Sequence, residues 1–463
     1  MQFYHDENQK FTDSELLVPL TPNFNTSSYV EFSITPSGGH LQLSDTRLAF
    51  AVDLPESVVP ENFFASKLFE YLELSINHTI VSSRSSDNDY ALTNYFLTRM
   101  NWDETSLKTS GSLEGYWDNL NYDSGHFTLE NIANEELSEQ PTNPFTDERR
   151  KQAEKIEKSG KIFFRYYFVT KINAGFALSP QPLPKNVPIK LTFVRADASK
   201  SVLSVMADNK DPISERVLDL INPTLYTSFI QSEHYDRKYA NHRISRVTFP
   251  FLDYKIHREL LLNGVDQFKL KIAEGKIFKH FYIIIENNIP HYLVYLMHTT
   301  YRFNLGKLPS ALAFAFISPA AFKGDYSNDT TNFKSHSLES FDLQIDSKSI
   351  VGYPISQVGN STLPFYYKFL KECNFYANNY SSGPMTYDAF RKFNFLVVEN
   401  LRRKNITQGQ LIVKLKFKKI LNEKLILIIM PVYKKILTFD EYFIPEISDP
   451  SESRSDLTME DET

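Results

Sequence analysis

Apolar side chains recur at every second position in many short segments of the sequence. The pattern is clear at 30–34, 48–54 and 187–193. Side chains of a β-strand point alternately to its two faces, so a period of two predicts strands with one buried face. Similar segments lie at 41–43, 72–76, 162–172, 218–220, 247–251, 268–272, 278–285, 312–317, 341–345, 411–417 and 425–439. The chain is therefore predicted to be all-β and antiparallel, and its 37 Phe, 26 Tyr and only 15 Gly suit sheets.

Two strand-rich blocks, at 26–235 and 240–445, divide the sequence without a residue-by-residue repeat between them. The polar stretch 232–238 lacks alternation and marks the break. Blocks of about 200 residues have the size of large β-sandwiches. We predict a first domain at 1–235 with a long polar insertion near 101–160, a second domain at 236–445, and an acidic, disordered tail at 446–463.

Few segments favour helix. Residues 147–158 (DERRKQAEKIEK) are charged on nearly every side and are predicted to form an exposed helix or insertion. Better candidates are 365–376 and 384–395, the second of which begins with proline, as a first helical turn tolerates. The polar segment 101–143 is predicted to be a surface excursion between strands.

The net charge of -6 resides in the tail. Of 56 acidic and 50 basic residues, seven acids and one base (Arg454) lie at 446–463, which leaves 49 of each elsewhere. Such a tail is either a solvated end or a docking or regulatory segment. The neutral body gives no sign of a protein that chiefly grips a polyanion.

Known catalytic motifs are absent from the sequence. It contains no Walker loop, no G-x-G-x-x-G, no H-E-x-x-H and no calcium-loop spacing, and 111–115 (GSLEG) only approaches a nucleophile elbow. The 11 histidines are scattered (His234 and His242 are eight apart, His291 and His298 seven), and Cys373 is expected to be a small buried hydrophobe. We predict no catalytic, cofactor-binding or metal-binding residues, although a site of distant carboxylates stays open.

Targeting signals are also absent from the sequence. No apolar run approaches the roughly 18 residues of a membrane span, and the first eight residues show no secretory signal. With one cysteine, no internal disulfide is expected, which suits a reducing compartment.

Basic residues gather late in the second block, at 402–404 and at Lys414, Lys416, Lys418 and Lys419. Apolar residues alternate with the last group, which places these lysines on the wet face of a strand. We interpret them as a solvated face, with nucleic-acid contact as the alternative.

Short phrases in the first block occur in a recognisable order. Residues 40–48 contain an L-x-D-T-x-L phrase, and a strand-like segment at 68–77 leads to a Y-x-x-x-x-Y-F phrase at 90–96. Residues 182–191 form a P-L-P-x-x-V-x-I-x-L phrase. The second block continues with FPFLDY at 249–254, FKLKI at 268–272, FKGDY at 322–326, Asn332-Phe333, and two closing strands at 409–417 and 425–440. In this order the phrases resemble the double jelly-roll major capsid proteins of DNA viruses, nearest to the Polinton/Maverick, adintovirus and virophage group.

The resemblance implies two consecutive eight-stranded jelly-roll sandwiches with few short helices in loops. It also implies homotrimers that form pseudo-hexameric capsomers of an icosahedral shell, contacting neighbouring capsomers and a minor (penton) capsid protein. Such a protein belongs to the virion, is assembled inside the host cell, meets nucleic acid weakly or indirectly, and needs neither an active site nor a cofactor. Loops such as 101–160 and 286–310 would form the outer crown or contacts between subunits. The stretch 101–158 and the acidic tail lie outside the resemblance.

Other functions stay open at this point. A carbohydrate-binding or adhesion module suits the abundant tyrosine, and a two-jelly-roll hydrolase or copper monooxygenase would share the fold. A vertex or minor capsid protein is a closer rival, although those proteins usually resemble a single roll.

Overall fold

The computed structural model describes most of the chain. The described residues are 14–36, 38–81, 89–117, 146–206, 212–240, 247–273, 283–284, 308–346, 348–350, 355–358, 361–373, 375, 383–401, 410–440 and 442–448. None of the helices within these ranges is long and apolar enough to cross a membrane.

Twenty-four strands dominate the described residues. In the first half they are β1 (Ser14–Leu20), β2 (Phe24–Asn25), β3 (Tyr29–Ile34), β4 (His40–Pro55), β5 (Val58–Pro60), β6 (Phe69–Ile76), β7 (Thr79–Ile80), β8 (Glu154–Lys158), β9 (Lys161–Lys171), β10 (Ile189–Arg195), β11 (Val202–Ser204) and β12 (Ile221–Gln231). In the second half they are β13 (Val247–Tyr254), β14 (His257–Leu261), β15 (Gln267–Ala273), β16 (Ile283–Ile284), β17 (Ala311–Ile317), β18 (Leu338–Ile345), β19 (Lys348–Ser349), β20 (Ile355–Ser356), β21 (Val397–Asn400), β22 (Leu411–Phe417), β23 (Leu425–Phe439) and β24 (Pro445–Ser448).

The helices are short by comparison. They are α1 (Phe64–Lys67), α2 (Asp89–Asn101), α3 (Glu104–Lys108), α4 (Ser110–Leu113), α5 (Thr146–Arg150), α6 (Glu233–Ala240), α7 (Pro319–Lys323), α8 (Leu363–Glu372) and α9 (Tyr387–Phe393), with 3-10 turns at Gly175–Leu178 and Ala198–Lys200.

The first set of strands forms two antiparallel sheets, with the orders β1-β12-β4-β9-β8 and β2-β3-β10-β6-β7. Along the chain, single strands and hairpins alternate between the two sheets. As a result β1, the first strand, lies beside β12, the last one. This strand order defines a jelly roll.

The second set repeats the same order. One sheet runs β13-β23-β17-β21, with β14 and β24 also paired to β23, and the other runs β16-β15-β22-β18-β19, with β20 paired to β18. In both sets the first strand, β1 or β13, pairs with a long strand near the end of the set, β12 or β23, and β4 or β17 lies next inward. The predicted fold class, two consecutive jelly rolls with few short helices, is confirmed.

The chain separates into two compact units. The first comprises Met1–Ile256 with two later segments, Lys323–Thr330 and Lys434–Thr463, and the second comprises His257–Phe322 and Thr331–Tyr433. Strand β23 thus contributes residues to both units. The predicted domain limits at 235 and 445 stay predictions.

Period-two alternation builds the core of each roll. In β10, inward-facing Leu191 lies opposite Phe32 of β3 and Leu74 of β6, and all three are fully buried. In the second unit, Phe341 of β18 lies opposite Leu415 of β22 and packs on Phe314 of β17 with 5.0 Å between ring centroids. Each buried side chain of this size contributes about 1.5–3 kcal/mol, so the predicted alternation supplies the main stabilisation of both sandwiches.

Several local predictions were wrong. Residues 147–158 do not form one helix, because α5 ends at Arg150 and 154–158 is strand β8, paired to β9. Charged residues on both faces suit an edge strand as well as an exposed helix, which explains the error. Leu218 and Leu220 are not in a strand, since β12 begins at Ile221.

Other predicted elements are present with shifted ends, or lie partly outside the described residues. Helix α8 occupies most of 365–376 but begins earlier, and α9 lies within 384–395 with Thr386, not the proline, at its N-cap. Two short helices, α3 and α4, form the start of 101–143, whereas 118–143 falls outside the described residues. Most of 278–285 and 286–310 does as well.

Candidate functional site

The residues singled out for chemistry do not assemble a catalytic centre within the described ranges. Ser112 lies in α4 and donates its hydroxyl to the carbonyl of Thr109 at 2.6 Å, so it is not placed as a nucleophile elbow. Cys373 follows the last residue of α8 and is half-buried, so it is less buried than the sequence predicts. His234 is half-buried in α6, and His242, His291 and His298 lie outside the described residues. The described part of the chain holds no group of three or more His, Cys, Asp or Glu that could bind a metal.

A cluster of charges is buried in the first unit instead. Lys67, the last residue of α1, donates to Glu61 Oε2 and to Asp329 Oδ1, each at 2.6 Å. The three side chains are at most 2% exposed. Thr330 adds its backbone N–H at 3.1 Å and its hydroxyl at 3.0 Å to the same Glu61 oxygen. We refer to Glu61, Lys67 and Asp329 as the buried triad.

The surroundings of the buried triad determine its protonation. Burial raises the pKa of Glu61 to about 8, against the favourable charge of Lys67. Arg149 is also fully buried, donates to the carbonyl of Pro60, and lies over the ring of Trp117 at 5.2 Å. Burial lowers the pKa of Arg149 to about 10, while Asp329 and Glu61 act in the opposite direction. Removing charges from water costs several kcal/mol per ion, so the buried cations depend on the acidic side chains that lie against them.

The triad fixes a segment that is distant in sequence. Asp329 belongs to Lys323–Thr330, which lies 262 residues after Lys67 yet is part of the first unit. The backbone of the segment also accepts a bond from the N–H of Ser204 at the carbonyl of Tyr326, 2.8 Å long. Gly324 has φ of 96°, and a Cβ there would lie 2.5 Å from Ser199 Oγ. Sequence reasoning missed this cluster, because neither spacing nor motif connects its members.

Edge strands of the first unit differ sharply in polarity. Strand β8 (EKIEK) is charged at four of its five positions. Strand β1, at the opposite edge of the same sheet, exposes 49% of Leu16 and 56% of Leu17. Charged edges resist pairing with other chains, whereas exposed apolar side chains favour contact. A second exposed apolar group lies at Tyr442, Ile444 and Ile447, in and before β24.

In the second unit, the predicted wet face of β22 is confirmed by its alternating burial. Lys414 lies directly opposite Lys269 of β15 on one side and Asp342 of β18 on the other. Asp342 is buried and accepts from Gln344 Nε2 and Ser349 Oγ, each at 2.6 Å, so its oxygens are engaged elsewhere. Lys416 pairs with Glu339 at 2.9 Å. We refer to Lys269, Lys414 and Lys416 as the lysine face.

The chain is similar in structure to several solved structures. No protein-family model matches the sequence, and no curated protein matches it. A cryo-EM structure of the Sputnik virophage contains a chain that is similar over 97% of this chain and 91% of its own length, with a TM-score of 0.57 at 12% identity. PBCV-1 VP54, fitted into a reconstruction of Sputnik, matches over 97% and 98% at 10% identity with a TM-score of 0.51. A chain of a quasi-atomic model of the PBCV-1 capsid matches over the same shares at 11% identity, also with a TM-score of 0.51.

These similarities establish the class of fold. The chain is a double jelly roll, similar from end to end to solved structures of viral origin. At identities of 10–12% the likeness concerns the fold, and it confirms the resemblance inferred from the sequence at that level.

Proposed function

We propose that the chain is a major capsid protein of an icosahedral DNA virus or virus-like transposon. The observation that carries this proposal is the same jelly-roll order occurring twice in one chain, over a length that matches virophage and PBCV-1 capsid structures almost completely. A single chain with two similar rolls is suited to tiling, because three copies present six similar sandwiches around a threefold axis. In this proposal the protein acts by burial and complementarity and is not an enzyme.

The proposed partners follow from this geometry. Three copies form a pseudo-hexameric capsomer, which contacts neighbouring capsomers and a minor (penton) capsid protein. Exposed apolar side chains on β1 and around β24 are the surfaces we assign to contacts between copies. The neutral body fits a shell that meets nucleic acid weakly or indirectly, and the protein is placed in the virion after assembly inside the host cell.

The domain limits belong to the same proposal. We assign the first roll to 1–235, the second to 236–445, and a separate role to the acidic segment 446–463, whose seven acids face one base. Crown and contact roles are proposed for loops within 101–160 and 286–310.

The test is the solution mass of the purified protein, measured by light scattering behind a sizing column. A stable species of three chain masses, each 53.7 kDa, supports the capsomer. A monomer at high concentration contradicts it. In that case, retention on a glycan array identifies a carbohydrate-binding module, and bound metal in elemental analysis identifies an enzyme on the same fold.

A further inference from the structure

The lysine face is a concentration of positive charge in an otherwise balanced body. Lys414 and Lys416 are exposed, and they are followed directly by exposed Lys418 and Lys419. Directly opposed Lys269 and Lys414 repel one another, and among the described residues neither has a carboxylate within 4.0 Å. Like charges opposite each other destabilise a sheet. This pair therefore lowers the local stability of the sheet, and no group in the described part of the chain compensates for it.

The nearest acidic side chains do not neutralise this pair. Asp342 is opposite Lys414 in register, but it is buried and its two oxygens bind Gln344 and Ser349. Glu339 engages Lys416 alone. Among the described residues, no carboxylate therefore balances Lys269 and Lys414.

One segment of the chain has the complementary charge. Residues 449–463 carry six acids and one base, which is nearly the whole net charge of the protein. Acidic positions two apart, such as Glu460 and Glu462, have the spacing of Lys414 and Lys416 when a peptide is extended, because alternate residues of a strand lie on one face about 6.6 Å apart.

We propose that the lysine face binds the acidic segment 449–463 of a second copy of this chain. The inference rests on the proposed function, since a capsomer of three copies places the chains next to one another. Strand β24, which precedes the acidic segment, pairs with β23 and lies in the first unit, whereas the lysine face lies in the second. Each contact is weak and screened by salt, but many identical contacts in a shell add up.

The test uses carbodiimide, which joins carboxylates directly to amines, on an equal mixture of ¹⁵N-labelled and unlabelled full-length chains. The two forms are mixed after unfolding and are refolded together, so that oligomers contain both. Mass spectrometry then identifies each cross-link and its isotopes. We expect cross-links between Glu460, Asp461 or Glu462 and the lysine face or the adjacent Lys418 and Lys419, and these should join a labelled to an unlabelled chain. Raising the salt from about 0.05 M to about 0.5 M is expected to lower their yield at least threefold, because the Debye length falls well below 10 Å.

The matched variants separate the face from positive charge in general. K269Q/K414Q removes the opposed pair and is expected to lower cross-linking at the remaining lysines at least about threefold by loss of charge attraction. K155Q/K161Q removes two exposed lysines around the β8–β9 turn and is expected to leave it unchanged. Light scattering on the same samples reports the capsomer separately, so a trimer without these cross-links overturns only the present inference.

Three results would overturn the inference. Cross-links confined to one isotope would show that the segment binds its own chain. Absence of cross-links at the lysine face, with cross-links elsewhere, would show that the segment binds another surface. Equal cross-linking in K269Q/K414Q, or binding of a short DNA duplex to the face that the acidic segment does not compete away, would assign the lysines another role.

Discussion

Charged residues are used in opposite ways in the two units. In the first unit, Lys67 is 1% exposed and bonded to two carboxylates at 2.6 Å. In the second, Lys269 and Lys414 face each other near water, without a carboxylate partner among the described residues. A buried cation is stable only when matched, because desolvation removes its interaction with water, whereas an exposed one tolerates repulsion at small cost. The difference separates a charge that holds the fold from charges that are available for binding.

The largest expected effect is on the buried triad. Lys67→Met leaves Glu61 and Asp329 buried without their cation, and we expect a loss of about 3–5 kcal/mol in the free energy of unfolding. Urea titration followed by tryptophan fluorescence measures it, because Trp102 and Trp117 are the only tryptophans and both lie in the first unit.

Lys67→Met has two controls, one in the second unit and one within the buried triad. Lys414→Met should change stability by no more than about 0.5 kcal/mol, as for other exposed positions. In an E61Q/D329N background, Lys67→Met should cost at least about 2 kcal/mol less, since no carboxylate is left unpaired. A loss below about 1 kcal/mol in the native background would show that water reaches the triad.

A second effect concerns the close fit of the segment that carries Asp329. Gly324→Ala places a methyl group 2.5 Å from Ser199 Oγ and 2.9 Å from Lys200 Cγ, at φ of 96°. We expect a loss of about 2–3 kcal/mol from strain and overlap, measured by the same fluorescence titration. Gly160→Ala is the matched control, because φ is 72° there and nothing lies within 4 Å, so only about 1 kcal/mol is expected. Equal losses in both variants would mean that the segment moves away without cost.

A smaller effect is the pH dependence that comes from Glu61. Its folded pKa of about 8 lies above the ordinary 4.5, so the folded state keeps a proton that the unfolded chain releases between these values. The contribution of Glu61 to stability is thus full below pH 4.5 and is lost as the pH rises through about 8. From about pH 6 to about pH 9, the native protein should lose about 2–3 kcal/mol more than Glu61→Gln.

The groups that face Glu61 are Lys67, Asp329, Arg149 and Thr330, and Glu61→Gln leaves all of them in place. Parallel pH profiles for the native protein and the variant would contradict the raised pKa.

The lysine face and the buried triad also differ in how far the sequence predicts them. The exposure of Lys414 and Lys416 follows from alternation alone, because buried Leu415 separates them within one strand. The position of Lys269 opposite Lys414 depends on the register of β15 against β22. The buried triad depends on contacts across 262 residues, and no local pattern signals it. Helix α2 was missed for a related reason: it is buried on nearly all sides, so it lacks the polar stripe that marks a surface helix.

The central strand β12 was also overlooked, although it pairs with both β1 and β4. Its sequence INPTLYTSFIQ includes Asn222 with φ of 48°, and its register against β4 shifts twice. Such irregularities interrupt a period of two without preventing pairing. Local alternation therefore predicts regular strands and the faces they expose, whereas bulged strands and distant charge pairs are defined only by the folded chain.

The smallest expected effect tests the repulsion within the lysine face. Lys269→Glu places a carboxylate opposite Lys414, and cross-strand pairs of opposite charge contribute about 0.2–1 kcal/mol. We expect slower amide exchange in β15 and β22, equivalent to about 0.5 kcal/mol of added local stability, in hydrogen-exchange mass spectrometry at low salt. Lys269→Gln, which removes the repulsion without adding attraction, should give about half that gain. Both gains should shrink in about 0.5 M salt, because exposed charges are screened over a few ångströms there. Unchanged exchange in both variants would mean that the two ammonium groups already avoid each other, and the lysine face would then lose the unbalanced pair on which its proposed binding rests.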